Sequence, residues 1–358
     1  MSKFLRGHWS WLVGGLVSAS VLGACGAPEE QNLEVAEPAA AGDVKVQLSL
    51  GKATLAAGDS VSVSVTLTNV SGRSVKLPYW TTAARGVKEP LFDVQLNGAP
   101  VAYTGPHYKW AAPQAEDFIT LAPGQSVTHT ADVGGVYDFS ATGSYSLSYA
   151  SEAHGQVAQF ASNNVTVWVE GRPGLQPQGN EGNVSAQALS YSGACTSSEQ
   201  SSISTAFNSA KTYSTNSLSY LTNTTPGNTA RYKTWFGNYT STNWNTAKNH
   251  FSAIKSAFDT KSVVVDCSCN DSAYAYVYPA SPYKIYVCNA FWSAPNTGTD
   301  SRAGTLVHEM SHFNVVAATD DHAYGQSAAK SLATSNPTRA LDNADSHEYF
   351  AENTPAQN

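Results

Sequence analysis

Gly304-Thr305-Leu306-Val307-His308-Glu309-Met310-Ser311-His312-Phe313 is the stretch on which the reading of the second half of the chain turns. Leu306, Val307, Met310 and Phe313 are spaced for the buried side of a helix, and His308 and His312, four apart, fall on one face of it. Two imidazoles so placed can converge on one metal ion, and the neighbouring carboxylate of Glu309 can polarise a water bound there. A helix anchored in a core is also the rigid platform that a ligand set requires. The pattern His-Glu-x-x-His therefore points to zinc-peptidase chemistry, with His308 and His312 as ligands and Glu309 as general base. A third protein ligand is still needed to leave the fourth position for water. Neither a Glu on a following helix nor a His-x-x-Gly-x-x-His continuation is evident after His312.

Outward from this helix, residues 197–222 carry Ile203, Phe207, Ala210, Leu218 and Leu221 near helical spacing, and 244–258 repeat the pattern through Ala247, Phe251, Ile254 and Phe258. The Tyr-rich runs 273–278 and 283–288 flank Pro279-Ala280-Ser281-Pro282 and read as a β-hairpin. Residues 190–358 are thus expected to form an α+β unit, a small sheet covered by helices.

The first half has another character. Residues 43–170 consist of short runs of period two, such as 61–67 and 165–169, separated by turn signals at Gly58-Asp59, Asn97-Gly98, Pro123-Gly124 and Thr142-Gly143. This is the pattern of an all-β, immunoglobulin-like sandwich. Residues 171–189 concentrate Gly and Pro without an apolar face and read as a cleavable linker. Tyr79, Trp80, Tyr108 and Trp110 are candidates for an exposed binding surface, although a sandwich core is the commoner home of such residues. His107, His129 and His154 read as scattered surface or hydrogen-bonded residues, and so does His250 on its helix. His322 and His347 lie near the motifs and are given no catalytic role.

The chain has 358 residues, of which 13% are charged, and a net charge of −7. No block of Lys and Arg is present to neutralise phosphates, so nucleic acid is excluded as a partner. Lys3 and Arg6, the apolar run 9–21 and Leu22-Gly23-Ala24-Cys25 resemble a bacterial lipoprotein signal, with lipidation of Cys25 and a tether over 26–42. The expectation is an exported outer-membrane or cell-surface precursor, joined to the membrane through Cys25 before processing. The remaining cysteines, Cys195, Cys267, Cys269 and Cys288, are even in number and suit two disulfides. Cys267 and Cys269 are too close to bond readily to each other, and the spacing is poor for zinc.

After His312 comes Ala318-Thr319-Asp320-Asp321-His322-Ala323-Tyr324-Gly325. Together with His-Glu-x-x-His, it resembles the signature of the aspzincins, a family that includes deuterolysin and the fungal peptidyl-Lys metalloendopeptidases. The resemblance extends over most of 191–358. It implies a zincin-type metallopeptidase domain with one Zn²⁺, Asp321 as third ligand and Tyr324 steadying the transition state. It also implies the pairing Cys195–Cys267 and Cys269–Cys288. One departure is Ala318, where the family has a glycine and a positive φ is suspected.

Asp345 and Glu348, three apart, share a helix face beside Tyr349 and Phe350 and could receive an ammonium group, although acidic residues also suit the first turn of a helix. In the peptidyl-Lys subgroup, matching positions bind the lysine that follows the cleaved bond. Cleavage before Lys in protein or peptide substrates is therefore expected. Replacing both carboxylates should abolish that preference while sparing zinc. The sandwich is read as an inhibitory propeptide that presents one of its own lysines, and the mature protease as a monomer acting outside the cell. The alternatives are a broad-specificity, deuterolysin-like enzyme with a permanent binding module, and an inactive surface-binding lipoprotein.

Overall fold

The computed structural model describes residues 36–151, 160–172 and 189–357. The signal segment, Cys25, the tether up to residue 35 and the linker from 173 to 188 lie outside them.

Alternation in sequence becomes alternation in space throughout the first half. Strands β1 (Val44–Leu50), β2 (Ser62–Asn69), β3 (Val75–Pro78), β4 (Phe92–Leu96), β5 (His107–Lys109), β6 (Phe118–Leu121), β7 (Ser126–Asp132), β8 (Gly143–Ser151) and β9 (Val165–Val169) account for most of it. The order β7-β2-β1 forms one antiparallel sheet, and β9-β8-β4 form the middle of another. In β2 every second residue, Val63, Val65 and Leu67, is fully buried. It meets Tyr145, Leu147, Val167 and Val169 from the other sheet in one apolar core.

The second half opens with β10 (Leu189–Ser192), followed by α1 (Ser197–Asn223), α2 (Ala230–Phe236) and α3 (Ser241–Thr260). Thr196 and Thr240 cap α1 and α3, their side chains accepting from Glu199 N and Asn243 N. Next come β11 (Val263–Asp266), the hairpin β12 (Ala275–Val277) and β13 (Lys284–Val287), and α4 (Asn289–Ser293). The chain closes with α5 (Arg302–His312), α6 (Gly325–Ser335), α7 (Pro337–Leu341) and α8 (Ala344–Glu352). Ile203, Phe251, Phe258, Leu306, Met310 and Phe350 belong to the core beneath the sheet. Cys195–Cys267 and Cys269–Cys288 are disulfide-bonded, closing loops of 72 and 19 residues. In the chain-entropy view such links are worth about 4 and about 3 kcal/mol.

The sheet of the second half has the order β10-β11-β13-β12-β5, so its fifth strand is supplied by the first half. β5 runs antiparallel to β12, pairing His107 with Val277, Tyr108 with Tyr276 and Lys109 with Ala275. Tyr79, Trp80, Tyr108 and Trp110 surround this junction and bury themselves against Ala273, Cys269 and Cys288. They form neither an exposed binding surface nor the interior of the sandwich. Both sequence readings assumed that the first half is complete by itself. Its aromatic face is instead covered by the second half, where Trp80 stacks on Trp110 and Trp110 on Tyr108. Lys88 meets Asp271 at 2.5 Å and Ser272 donates to Asp117 at 2.7 Å, adding polar links across the same junction.

Candidate active site

Helix α5 is fixed at its start by Ser301, whose hydroxyl accepts from Gly304 N. The carboxylate of Glu352, on α8, accepts from both the N–H and the hydroxyl of Ser301. Gly304 permits this approach, since a Cβ there would lie 2.2 Å from Glu352 Oε1. Every residue from Ala303 to His312 is buried.

On the fixed helix, His308 Nε2 and His312 Nε2 lie 3.1 Å apart. Asp321 faces both, with Oδ1 3.3 Å from His308 Nε2 and Oδ2 3.3 Å from His312 Nε2. The three residues singled out in the sequence thus converge on one point. His312 Nδ1 donates to Thr319 O at 2.7 Å, leaving its Nε2 lone pair facing Asp321. The loop carrying Asp321 is held by Asn343, whose side chain accepts from His322 N and Ala323 N, and by Asp320 N donating to Asp342 O. Ala318 has φ of 50°, so alanine occupies the left-handed conformation suspected at this position.

Among the described residues, both carboxylate oxygens of Asp321 and both of Glu309 are buried without a hydrogen-bond partner. Burial pushes Glu309 up to about 8. Asp321 is held well below the usual carboxylate range because the two imidazoles outweigh its burial. Two imidazole nitrogens and a carboxylate directed at a common point form a donor set that a divalent cation satisfies.

His308 reaches the second motif through its other nitrogen. Its Nδ1 lies 2.8 Å from Asp345 Oδ1 and 3.4 Å from Glu348 Oε2. Asp345 and Glu348 also face Lys109 of β5, whose ammonium is 3.0 Å from Glu348 Oε2 and 3.5 Å from Asp345 Oδ1. A third carboxylate, Asp300, lies 3.5 Å from the same nitrogen and accepts from the Tyr349 hydroxyl. The ring of Tyr274 is 4.8 Å from the ammonium. Lys109, whose side chain is 2% exposed, stays charged because the three carboxylates outweigh the cost of its burial. Asp345 thus lies against both the ammonium and His308.

The Tyr324 hydroxyl donates to the carbonyl oxygen of Tyr108, the residue preceding Lys109, at 2.8 Å. Asp300 and Lys109 were not singled out by sequence reasoning, and His107, read as an incidental residue, lies with its ring 5.1 Å from that of His312. No local signal marks Asp300 or Lys109, because their partners are distant along the chain. His322 and His347 form structural contacts, His322 with Asp342 and Arg339, and His347 with His250 and Asn343 O.

Residues 220–352 match the profile of the aspzincins, described as lysine-specific metallo-endopeptidases. An extracellular protease of Aeromonas hydrophila is 45% identical over 337 residues, covering 90% of this chain and 96% of the relative. The chain belongs to the aspzincin family. As an aspzincin it is a metalloendopeptidase. The peptidyl-Lys metalloendopeptidase of Armillaria mellea is 40% identical, with 84% of this chain and 89% of that protein covered. A zinc peptidase from Grifola frondosa is 52% identical over 46% of this aspzincin and the whole of its own chain, with a TM-score of 0.44. The reading as an inactive binding lipoprotein gives way to that of an enzyme.

Proposed function

We propose that this aspzincin is a secreted zinc endopeptidase that cleaves peptide bonds on the amino side of lysine, and that the intact chain is its latent precursor. One observation carries the reading: the chain presents its own Tyr108–Lys109 bond to the site, with the Lys109 ammonium among Asp300, Asp345 and Glu348 and the Tyr108 carbonyl on the Tyr324 hydroxyl. A substrate lysine would take the place of Lys109, and the carbonyl before it would take that of the Tyr108 carbonyl. The Armillaria relative, a peptidyl-Lys metalloendopeptidase, and the Aeromonas relative, an extracellular protease, support lysine specificity and an extracellular location. The immunoglobulin-like reading of the first half, with its removal at 171–189, completes the proposal.

His308, His312 and Asp321 would hold one zinc ion, which supplies Lewis acidity to the carbonyl and to the attacking water. Glu309, buried and unpartnered, takes the proton from that water and later delivers it to the leaving lysine nitrogen. Tyr324 donates a hydrogen bond to the oxygen on which charge develops. Asp300, Asp345 and Glu348 fix the lysine and thereby set the register of the reacting bond. β12 aligns the extended backbone, as it does that of β5.

The test is digestion of a mixed peptide library by the processed protein, with and without a zinc chelator, read by mass spectrometry. Chelator-sensitive products beginning with Lys are expected; cleavage without that preference would discard the lysine pocket. In a linker-cut protein, Lys109→Ala should weaken the hold of the first half on the protease severalfold or more, and unchanged affinity would remove Lys109 from the inhibitory role.

A further inference from the structure

His107 and Lys109 alternate with Tyr108 along β5, so Tyr108 lies against Tyr276, with rings 4.6 Å apart, while its two neighbours face α5. Lys109 arrives at the His308 end of the site and His107 at the His312 end. Its ring is tilted 53° to that of His312, and one donor atom each from His107, His312 and Asp321 lie within 4.8 Å of one another. His107 Nδ1 lies 3.4 Å from Asp320 Oδ1, and its side chain is 13% exposed. A contact of this kind, between an imidazole and an outer carboxylate, commonly orients a metal-bound histidine.

We propose that His107 is a fourth protein ligand to the metal in the intact chain, taking the coordination position that water needs for hydrolysis. The inference rests on the metal centre and latent state proposed above. A zinc site with three protein ligands and an open position is catalytic, whereas a site closed by four is structural. Insertion of β5 would then do two separable things: Lys109 fills the specificity pocket, and His107 converts an open metal site into a closed one. Withdrawal of the strand removes both groups together, because they are two residues apart on one rigid segment. Latency would not depend on the affinity of a lysine pocket alone, which any abundant Lys peptide could contest.

The experiment uses the intact full-length chain in a Glu309→Gln background, loaded with Co²⁺ in place of zinc, with His107→Ala and His107→Cys added separately. The readouts are the electronic spectrum and the rate of metal loss to a chelator. His107→Ala should alter the visible bands and hasten metal loss about tenfold or more. His107→Cys should introduce a thiolate-to-cobalt charge-transfer band in the near ultraviolet, the deciding readout if the alanine variant folds poorly. Absence of that band in a metal-loaded cysteine variant overturns the inference while leaving the metal centre standing. A parent chain that takes up no metal overturns the centre itself and the inference with it.

Discussion

At the scale of single residues, the site is defined by which carboxylates have partners and which do not. Glu309 has no hydrogen-bond partner among the described residues, so Glu309→Gln should keep the bound metal and lose about 10²–10⁴-fold in turnover, measured as metal content against kcat. Asp345 and Glu348 look equivalent in the sequence, but their surroundings separate them. Glu348→Gln should cost about 2–5 kcal/mol in kcat/KM for Lys substrates, with metal affinity little changed. Asp345→Asn should lose the same preference and also weaken metal binding about 10–100-fold, because Asp345 Oδ1 lies 2.8 Å from His308 Nδ1. Equal metal affinities in the two variants would argue against this division of labour.

At the scale of elements, the contact between α5 and α8 ties the His-Glu-x-x-His helix to the carboxylates around Lys109. Gly304→Ala would place a methyl group against the Glu352 carboxylate, disturbing its bonds to Ser301 and the adjacent Asp300. A loss of about 1–3 kcal/mol is expected, visible as a Tm lowered by several degrees. An unchanged Tm would mean that α8 yields without cost. His308, Glu309 and His312 were legible because one helix turn brings them together, and a five-residue window carries the whole relation. Asp321 and Tyr324 needed a known signature, since no periodicity links a loop to a helix. The strands at 61–67 and 165–169 were legible from alternation, whereas β5, three residues long, carries no such pattern. Asp300 and Lys109 were not legible, because an aspartate in a Gly-Thr loop and a lysine near Trp110 acquire meaning only when residues from the two halves of the chain meet.

At the scale of the whole molecule, the junction explains why four large aromatics resist assignment from sequence. Tyr79, Trp80, Tyr108 and Trp110 have the composition of either a core or a binding face, and here they fill an interface between two halves with separate cores. Separation of the halves would expose them together. Intrinsic tryptophan fluorescence should therefore shift to longer wavelength as the first half leaves, in step with the appearance of activity. Activity that rises while Trp80 and Trp110 remain shielded would mean that only β5 withdraws.

The borrowed fifth strand has a further consequence. On the latent-precursor reading proposed above, β5 would compete with substrate as a tethered ligand while the linker is continuous, at an effective concentration of about millimolar. A cut in the linker would convert a unimolecular equilibrium into a bimolecular one. On that reading, nicking would arm the enzyme and dilution would release it: the cut protein would stay silent where it is crowded at the cell that made it and become active as it disperses. Activity per molecule of nicked protein should rise as its concentration falls, the reverse of an enzyme that must assemble to work.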